Sequence, residues 1–254
     1  FRVGRLTASN HFHPGAGGGN MRFNNREAIC LAGLALFVIL LGACSSQGPV
    51  VRQQGNLAGI EKITILPFED MVALHGANTG VRSPITGRVF VTGPVVDRAD
   101  QMLTELLVSH VQRDTGFTTV PSREAAAIMD GLVLRQGREW PRRKLLARTG
   151  QRLGADAIIV GHVYRFRQRT GGGAASESPS SVAFDIYLID CRQERVLWSA
   201  FYDYTQQALS ENLGGIGNFF RRGGRWVTAE ELAAAAMEDI FEDFPQRQIP
   251  KSET

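Results

Sequence analysis

The sequence predicts an α/β fold: a single-domain sandwich whose mixed sheet ends in a three-strand antiparallel meander, with helices packed over it. Three features carry this expectation. A short β-branched run, Lys62-Ile63-Thr64-Ile65-Leu66, is closed by Pro67. Between residues 95 and 153 apolar side chains recur every three to four positions. Between 155 and 205 three successive runs alternate with a period of two.

Taken in order, residues 45–58 are rich in Ser, Gln and Gly and read as a flexible tether. Lys62–Phe68 is the first strand. Residues 71–94 hold five glycines or prolines before Pro94. Within them Gly87–Gly93 reads as a short strand or half a hairpin, and the segment is either a partner-binding or membrane-approaching insert or a surface loop. Val95–Asp114 reads as an amphipathic helix through Ala99, Met102, Leu103, Leu106, Leu107, His110 and Val111. Asp97 and Asp100 fall in its first turn, where the helix dipole favours anions. Gly116 ends it.

Phe117–Val120 reads as a strand stopped by Pro121, and Ser122 as the cap of a helix carrying Ala125, Ile128, Met129, Leu132 and Val133. Pro141 suits the first position of the next helix, which buries Leu145, Leu146 and Leu153 and ends at Gly154. Arg142, Arg143, Lys144, Arg148 and Arg152 form its solvated side. The three period-two runs are Ala155–Arg167, Val182–Cys191 and Arg195–Thr205. In the first, Ile158, Val160, Tyr164 and Phe166 share one parity; in the last, Val196, Trp198, Ala200, Tyr202 and Tyr204 do. Gln193-Glu194 makes a tight turn, and 168–181 a long loop. Thr228-Ala229-Glu230-Glu231 is a capping box that opens the last helix, which Pro245 stops.

Upstream of this body, Met21-Arg22-Phe23-Asn24-Asn25-Arg26 is a charged start, and an apolar core runs from Ala28 to Leu41. Leu41-Gly42-Ala43-Cys44 then follows. A basic start, a short apolar core and small residues before a cleavage point make an export signal. The cysteine after the small pair makes it resemble a bacterial lipobox, cut before Cys44, which is then acylated. An apolar core shorter than the ~20 residues of a spanning helix argues against an uncleaved anchor. The expected division is therefore a leader outside the fold at 1–20, a signal peptide at 21–43, a tether at 44–58, the α/β domain at 59–245 and a polar tail at 246–254.

The whole chain has 28 basic and 25 acidic residues. Arg2, Arg5, Arg22, Arg26 and Glu27 precede Cys44, which leaves 24 of each sign in the mature part. A balanced surface argues against a nucleic-acid partner. Of the three cysteines, Cys30 lies in the signal and Cys44 is the lipid site, so Cys191 stands alone without a disulfide framework. Cys191 reads as a small buried residue.

Two phrases carry a family resemblance: Arg152-Leu153-Gly154-Ala155-Asp156-Ala157-Ile158-Ile159-Val160-Gly161, and Tyr187-Leu188-Ile189-Asp190 followed by Arg195-Val196-Leu197-Trp198-Ser199. With Ile65-Leu66-Pro67-Phe68, they resemble periplasmic lipoproteins related to the curli secretion protein CsgG and to the amino-terminal domain of TolB. The resemblance covers roughly 60–205. It implies a non-enzymatic envelope protein that binds other proteins. Neither 71–94 nor 168–181 holds two stretches of the ~9–11 alternating residues a spanning strand needs, so a channel subunit is the second reading. Ser45, where enteric inner-membrane lipoproteins carry Asp, points to the outer membrane.

For chemistry, Asp70, Asp156, Asp185 and Asp190 are scattered carboxylates, and His75 and His162 are isolated. No catalytic, metal or cofactor constellation emerges; a periplasmic enzyme is the third reading. His162, after Gly161, reads as a packed or edge histidine. The candidate partner-binding residues are Phe219, Phe220, Arg221, Arg222, Arg225 and Trp226, in a glycine-flanked loop whose aromatics either dock a partner or lipid surface or fold back over the sheet edge. Expected partners are a membrane, through acyl groups on Cys44, and envelope proteins; a homo-oligomer is left open.

Overall fold

The computed structural model describes residues 48–136, 140–170, 179–206 and 227–247. Along the chain they form β1 (Val50–Gln53), β2 (Lys62–Ile65), β3 (Glu69–Asp70), α1 (Met71–His75), β4 (Gly80–Arg82), β5 (Val89–Val91), α2 (Ala99–Asp114), β6 (Thr118–Val120), α3 (Ala125–Gln136), α4 (Arg142–Arg152), β7 (Ala157–Arg167), β8 (Ser181–Asp190), β9 (Val196–Thr205) and α5 (Ala229–Glu242). The predicted class is observed: a mixed sheet of seven strands in the order β1-β9-β8-β7-β2-β6, with β3 also on β7 and helices over it. β2 is parallel to β6 and β7, whereas β7, β8, β9 and β1 run antiparallel.

Two layers enclose the sheet. On one face Leu103, Leu107 and Val111 of α2 and Leu232, Ala236, Met237 and Ile240 of α5 pack on Ile63, Ile159, Phe184, Ile186, Leu188 and Trp198. On the other, Leu146 and Ala147 of α4 cover Ile158, Val160, Tyr187 and Ile189. The rest of that face is covered by the β4–β5 hairpin, whose Val81 and Phe90 meet Tyr164 and Ala183. Every residue of β8 is therefore buried. Each large apolar side chain so enclosed contributes roughly 1.5–3 kcal/mol. α5 begins as expected: Thr228 Oγ1 accepts from Glu231 N–H and Glu231 returns the bond to Thr228 N–H, a cap worth about 1 kcal/mol.

The structure differs from the sequence expectation in several places. The stretch expected to be a tether contributes β1, and Leu57 is buried. Val50 and Val51 cover the otherwise open edge of β9, which would leave unpaired backbone groups. The insert at 71–94 is ordered. Asp70 caps α1 by accepting from Val72 and Ala73 N–H, and Val89–Val91 is indeed half a hairpin, completed by Gly80–Arg82. α2 starts at Ala99, not Val95, because Val96 gives its N–H to Phe166 and stays extended. Asp97 is thus outside the first turn and Asp100 inside it. The Ser122 carbonyl, rather than a side-chain cap, accepts from Ala125 N–H. Arg247, assigned to the tail, pairs with Glu61.

Two register irregularities also correct the predicted parities. Between Val163 and Arg165 the β7–β8 register shifts, with Tyr164 as the extra residue. Phe166 therefore shares the α2–α5 face with Val163, not the face of Ile158 and Val160. A second shift at Leu188/Ile189 puts Val196 and Trp198 on opposite faces. A bulge reverses the side-chain alternation that sequence periodicity assumes.

Candidate functional site

The most concentrated polar chemistry lies in the sheet under the β4–β5 hairpin. Register makes His162 and Asp185 cross-strand partners, and Tyr164, two residues on from His162, lies on the same face. Tyr187 follows two residues after Asp185, so it too points that way. Asp185 is fully buried and His162 nearly so. Its carboxylate receives three side-chain hydrogen bonds: His162 Nδ1 at 2.6 Å on Oδ1, and the hydroxyls of Tyr164 and Tyr187, each at 2.8 Å, on Oδ2.

The network extends outward in two directions. Tyr187 gives its proton to Asp185, so its oxygen accepts from Ser83 and Thr86, both at 2.9 Å. These two residues lie in the β4–β5 turn, and they tie the insert to the sheet. On the other side His162 Nε2 is 3.8 Å from Glu69 Oε2, which accepts from Arg142 Nη2 at 3.0 Å. Stacking of Phe90 on Tyr164 at 4.0 Å, and of Arg88 over the Phe201 ring at 3.1 Å, complete the clasp. Burial, and then the charge of Asp185, push both tyrosine hydroxyls well above the ordinary phenol range. They remain donors at any physiological pH. Partial burial and the nearby Arg52 hold the Arg88 guanidinium somewhat below its usual value.

This arrangement is closed. Ser83 is bonded to Tyr187 rather than to His162, so no nucleophile–base pair forms. Cavities open elsewhere: about 330 Å³ between α3 and Arg152, and about 200 Å³ beside the start of α2. Among the described residues no group of three or more His, Cys, Asp or Glu is placed to hold a metal ion, and no helix is long and apolar enough to cross a membrane.

The other sequence candidates are dispersed. Asp70 caps α1, and Asp190 accepts from Arg192 and Gln193 N–H in the β8–β9 turn. His75 ends α1 and is exposed. Asp156 accepts from Glu61 and Lys62 N–H and pairs with Arg192. Burial opposes its ionisation, but those backbone donors and Arg192 prevail and hold the carboxyl below its ordinary value of 3.8. A depressed folded-state pKa stabilises above the unfolded value and ceases to do so as pH falls through the folded one. Wild type and Asp156→Asn are therefore expected to differ in urea midpoint at pH 7 and to converge in acid, at pH below the ordinary value of 3.8. A difference that stays constant into that acid range would contradict the assignment.

Cys191 is buried against Gly150, where an added Cβ would strike its sulfur. Burial, then Asp190 and Asp156, push its thiol up to about 12. Its thiolate fraction is then roughly 10³-fold below that of an ordinary thiol. Alkylation at pH 8, read on the Cys191 peptide, should be slower in the native protein by about that factor than in denaturant. Equal rates would refute the buried, inert assignment. Cys44 and the loop residues Phe219, Phe220, Arg221, Arg222, Arg225 and Trp226 lie outside the described residues.

The His162–Asp185 cluster is what sequence reasoning missed. His162 was read as isolated, and Asp185 as one scattered carboxylate. Its signal was present as paired i, i+2 polar positions, His162/Tyr164 and Asp185/Tyr187, within otherwise apolar strands.

No family model matches the sequence, and no curated protein matches it. Similar solved structures include the PelC dodecamer from Paraburkholderia phytofirmans, at 13% identity and a TM-score of 0.43, covering 79% of this chain and 99% of that one. The C-terminal domain of LpoB from Escherichia coli matches at 13% identity and 0.36, covering 60% and 87%. The lipoprotein GNA1162 from Neisseria meningitidis matches at 17% and 0.34, covering 64% and 94%. At scores below 0.5 these likenesses carry no functional argument.

Proposed function

We propose that the chain is a lipid-anchored, non-enzymatic interaction module of the bacterial cell envelope, held at the outer membrane and facing the periplasm. The observation that carries this is Leu41-Gly42-Ala43-Cys44, placed behind a basic start and an apolar core. Three further features support it. The mature part is charge-balanced. The buried Asp185 carboxylate is satisfied internally, and its cluster faces none of the cavities described above. The fold begins at β1, only six residues after Cys44.

The partner-contacting residues would be Phe219, Phe220, Arg221, Arg222, Arg225 and Trp226, as aromatic and arginine anchors. The family resembling the curli secretion protein and the TolB amino-terminal domain belongs to this reading. Its channel version loses support, because β4 and β5 have three residues each against the ~9–11 of a spanning strand.

Cys44→Ala tests the reading. One acyl chain binds a membrane only marginally and stable anchoring takes about two. The variant should therefore lose its mature-sized membrane pool, appearing either soluble or unprocessed. An undiminished pool of mature size in the membrane fraction would refute lipidation.

A further inference from the structure

We infer that the end of the sheet where β7 finishes, toward which the chain preceding β1 runs, is the surface that faces the phospholipid headgroups of the anchoring bilayer. The inference rests on acylation of Cys44. It goes beyond that reading by fixing which surface of the domain meets lipid.

The argument is one of reach and direction. Between Cys44 and Val50 lie six residue steps, at most about 20 Å of fully extended chain. Such a leash is shorter than the domain it holds, because β7 alone, with 11 residues, spans about 35 Å. The direction of β1 decides which end is held. Val50 pairs with Phe201 and Gln53 with Trp198. Phe201 in turn pairs with Asp185, and Asp185 with His162. β1 thus begins level with the middle of β7, five residues or about 17 Å short of Arg167; traced backwards from Val50 the chain heads toward Thr205, Ser181 and Arg167, a distance the extended leash just covers.

Other features converge on this end. Val95 bridges to Phe166 there, and Val96 gives its N–H to Phe166, so Asp97 and the start of α2 sit beside it. The start of α5 is held there too, since Ala229 N–H donates to Gln168. Ser180 accepts from Gln206 N–H and donates to the Val227 carbonyl, both at 2.9 Å. The described residues that flank 171–178 and 207–226 thus all leave the sheet at this end. The opposite end carries the β8–β9 turn with Arg192 and Gln193.

Charge does not select the surface. Arg98, Arg167 and Arg169 stand there with Asp97, Asp203 and Glu230, and Arg165 is already paired with Asp203. The short leash is the cause, so the orientation should persist on neutral lipid and in concentrated salt.

Energy transfer tests this on the processed full chain made in a bacterial host. Asp97→Cys and Gln193→Cys place single labels at exposed positions on the two ends. Cys44 is blocked by acylation and Cys191 is buried, so only the introduced thiol reacts. Each donor-labelled protein is reconstituted into phosphatidylcholine vesicles bearing a headgroup acceptor. With the sites about 30 Å apart along β7, transfer from position 97 should exceed that from 193 at least about twofold, with and without concentrated salt. Equal or reversed transfer from a protein whose mass shows the acyl groups overturns the orientation alone. A mass without acyl groups overturns the anchor, and the orientation with it. An order that salt abolishes overturns the leash as its cause.

Discussion

Asp185→Ala is expected to lower folding stability by about 3–5 kcal/mol, the cost of removing one partner from a buried charged network. The carboxylate is the common acceptor for His162, Tyr164 and Tyr187. Deleting it strands three buried donors at once, and each unsatisfied group costs roughly 1–3 kcal/mol. The effect should spread to the insert. Ser83 and Thr86 reach the sheet through Tyr187, so amide exchange across 80–92 should accelerate more than exchange in α2 or α5. Ser83→Ala removes only neutral bonds, with Tyr187 and from Ile85 N–H, and should cost about 1 kcal/mol. Urea unfolding gives the comparison directly. An Asp185→Ala cost no larger than that of Ser83→Ala would mean the cluster does not hold the insert.

Trp198→Ala should destabilise by about 3–5 kcal/mol through cavity formation on the α2–α5 face. Trp198 is fully buried and meets Phe244 edge-on at 4.6 Å. Phe244 stacks on Phe241 at 4.8 Å, and Phe241 on His110 at 4.9 Å. This run of rings joins β9 to α5 and α2, so truncation at its root loosens both helices. The indole Nε1 has no hydrogen-bond partner among the described residues. Trp198→Phe therefore loses volume but no bond, and should cost well under half as much as the alanine change. Equal costs for the two would show that an unseen contact of the indole nitrogen, not packing, holds the ring.

Legibility in the sequence followed from where the decisive contacts were local. The three long strands were readable because period-two alternation is a property of the strand itself. The capping box at Thr228 was readable because both partners lie within four residues. β1 was not, since Val50–Gln53 is a strand only because β9 offers an open edge far along the chain. Tyr164 illustrates a second limit. A one-residue bulge leaves no mark in the alternation, yet it moves Phe166 to the face opposite Tyr164. Of the polar cluster, the individual residues were visible as polar positions in buried strands. Their convergence was not, because the register of β7 on β8 is set across the 168–181 loop. Glu69 lies just past the first strand, and Ser83 and Thr86 come from an insert whose glycines gave no periodic signal.

The account as a whole stands on a processed amino terminus, and intact mass spectrometry of the protein purified from bacterial membranes reads it directly. The prediction is a polypeptide that begins at Cys44 and carries the added mass of fatty acyl groups on that residue. A species that retains residues upstream of Cys44 and bears no acyl mass would contradict the account.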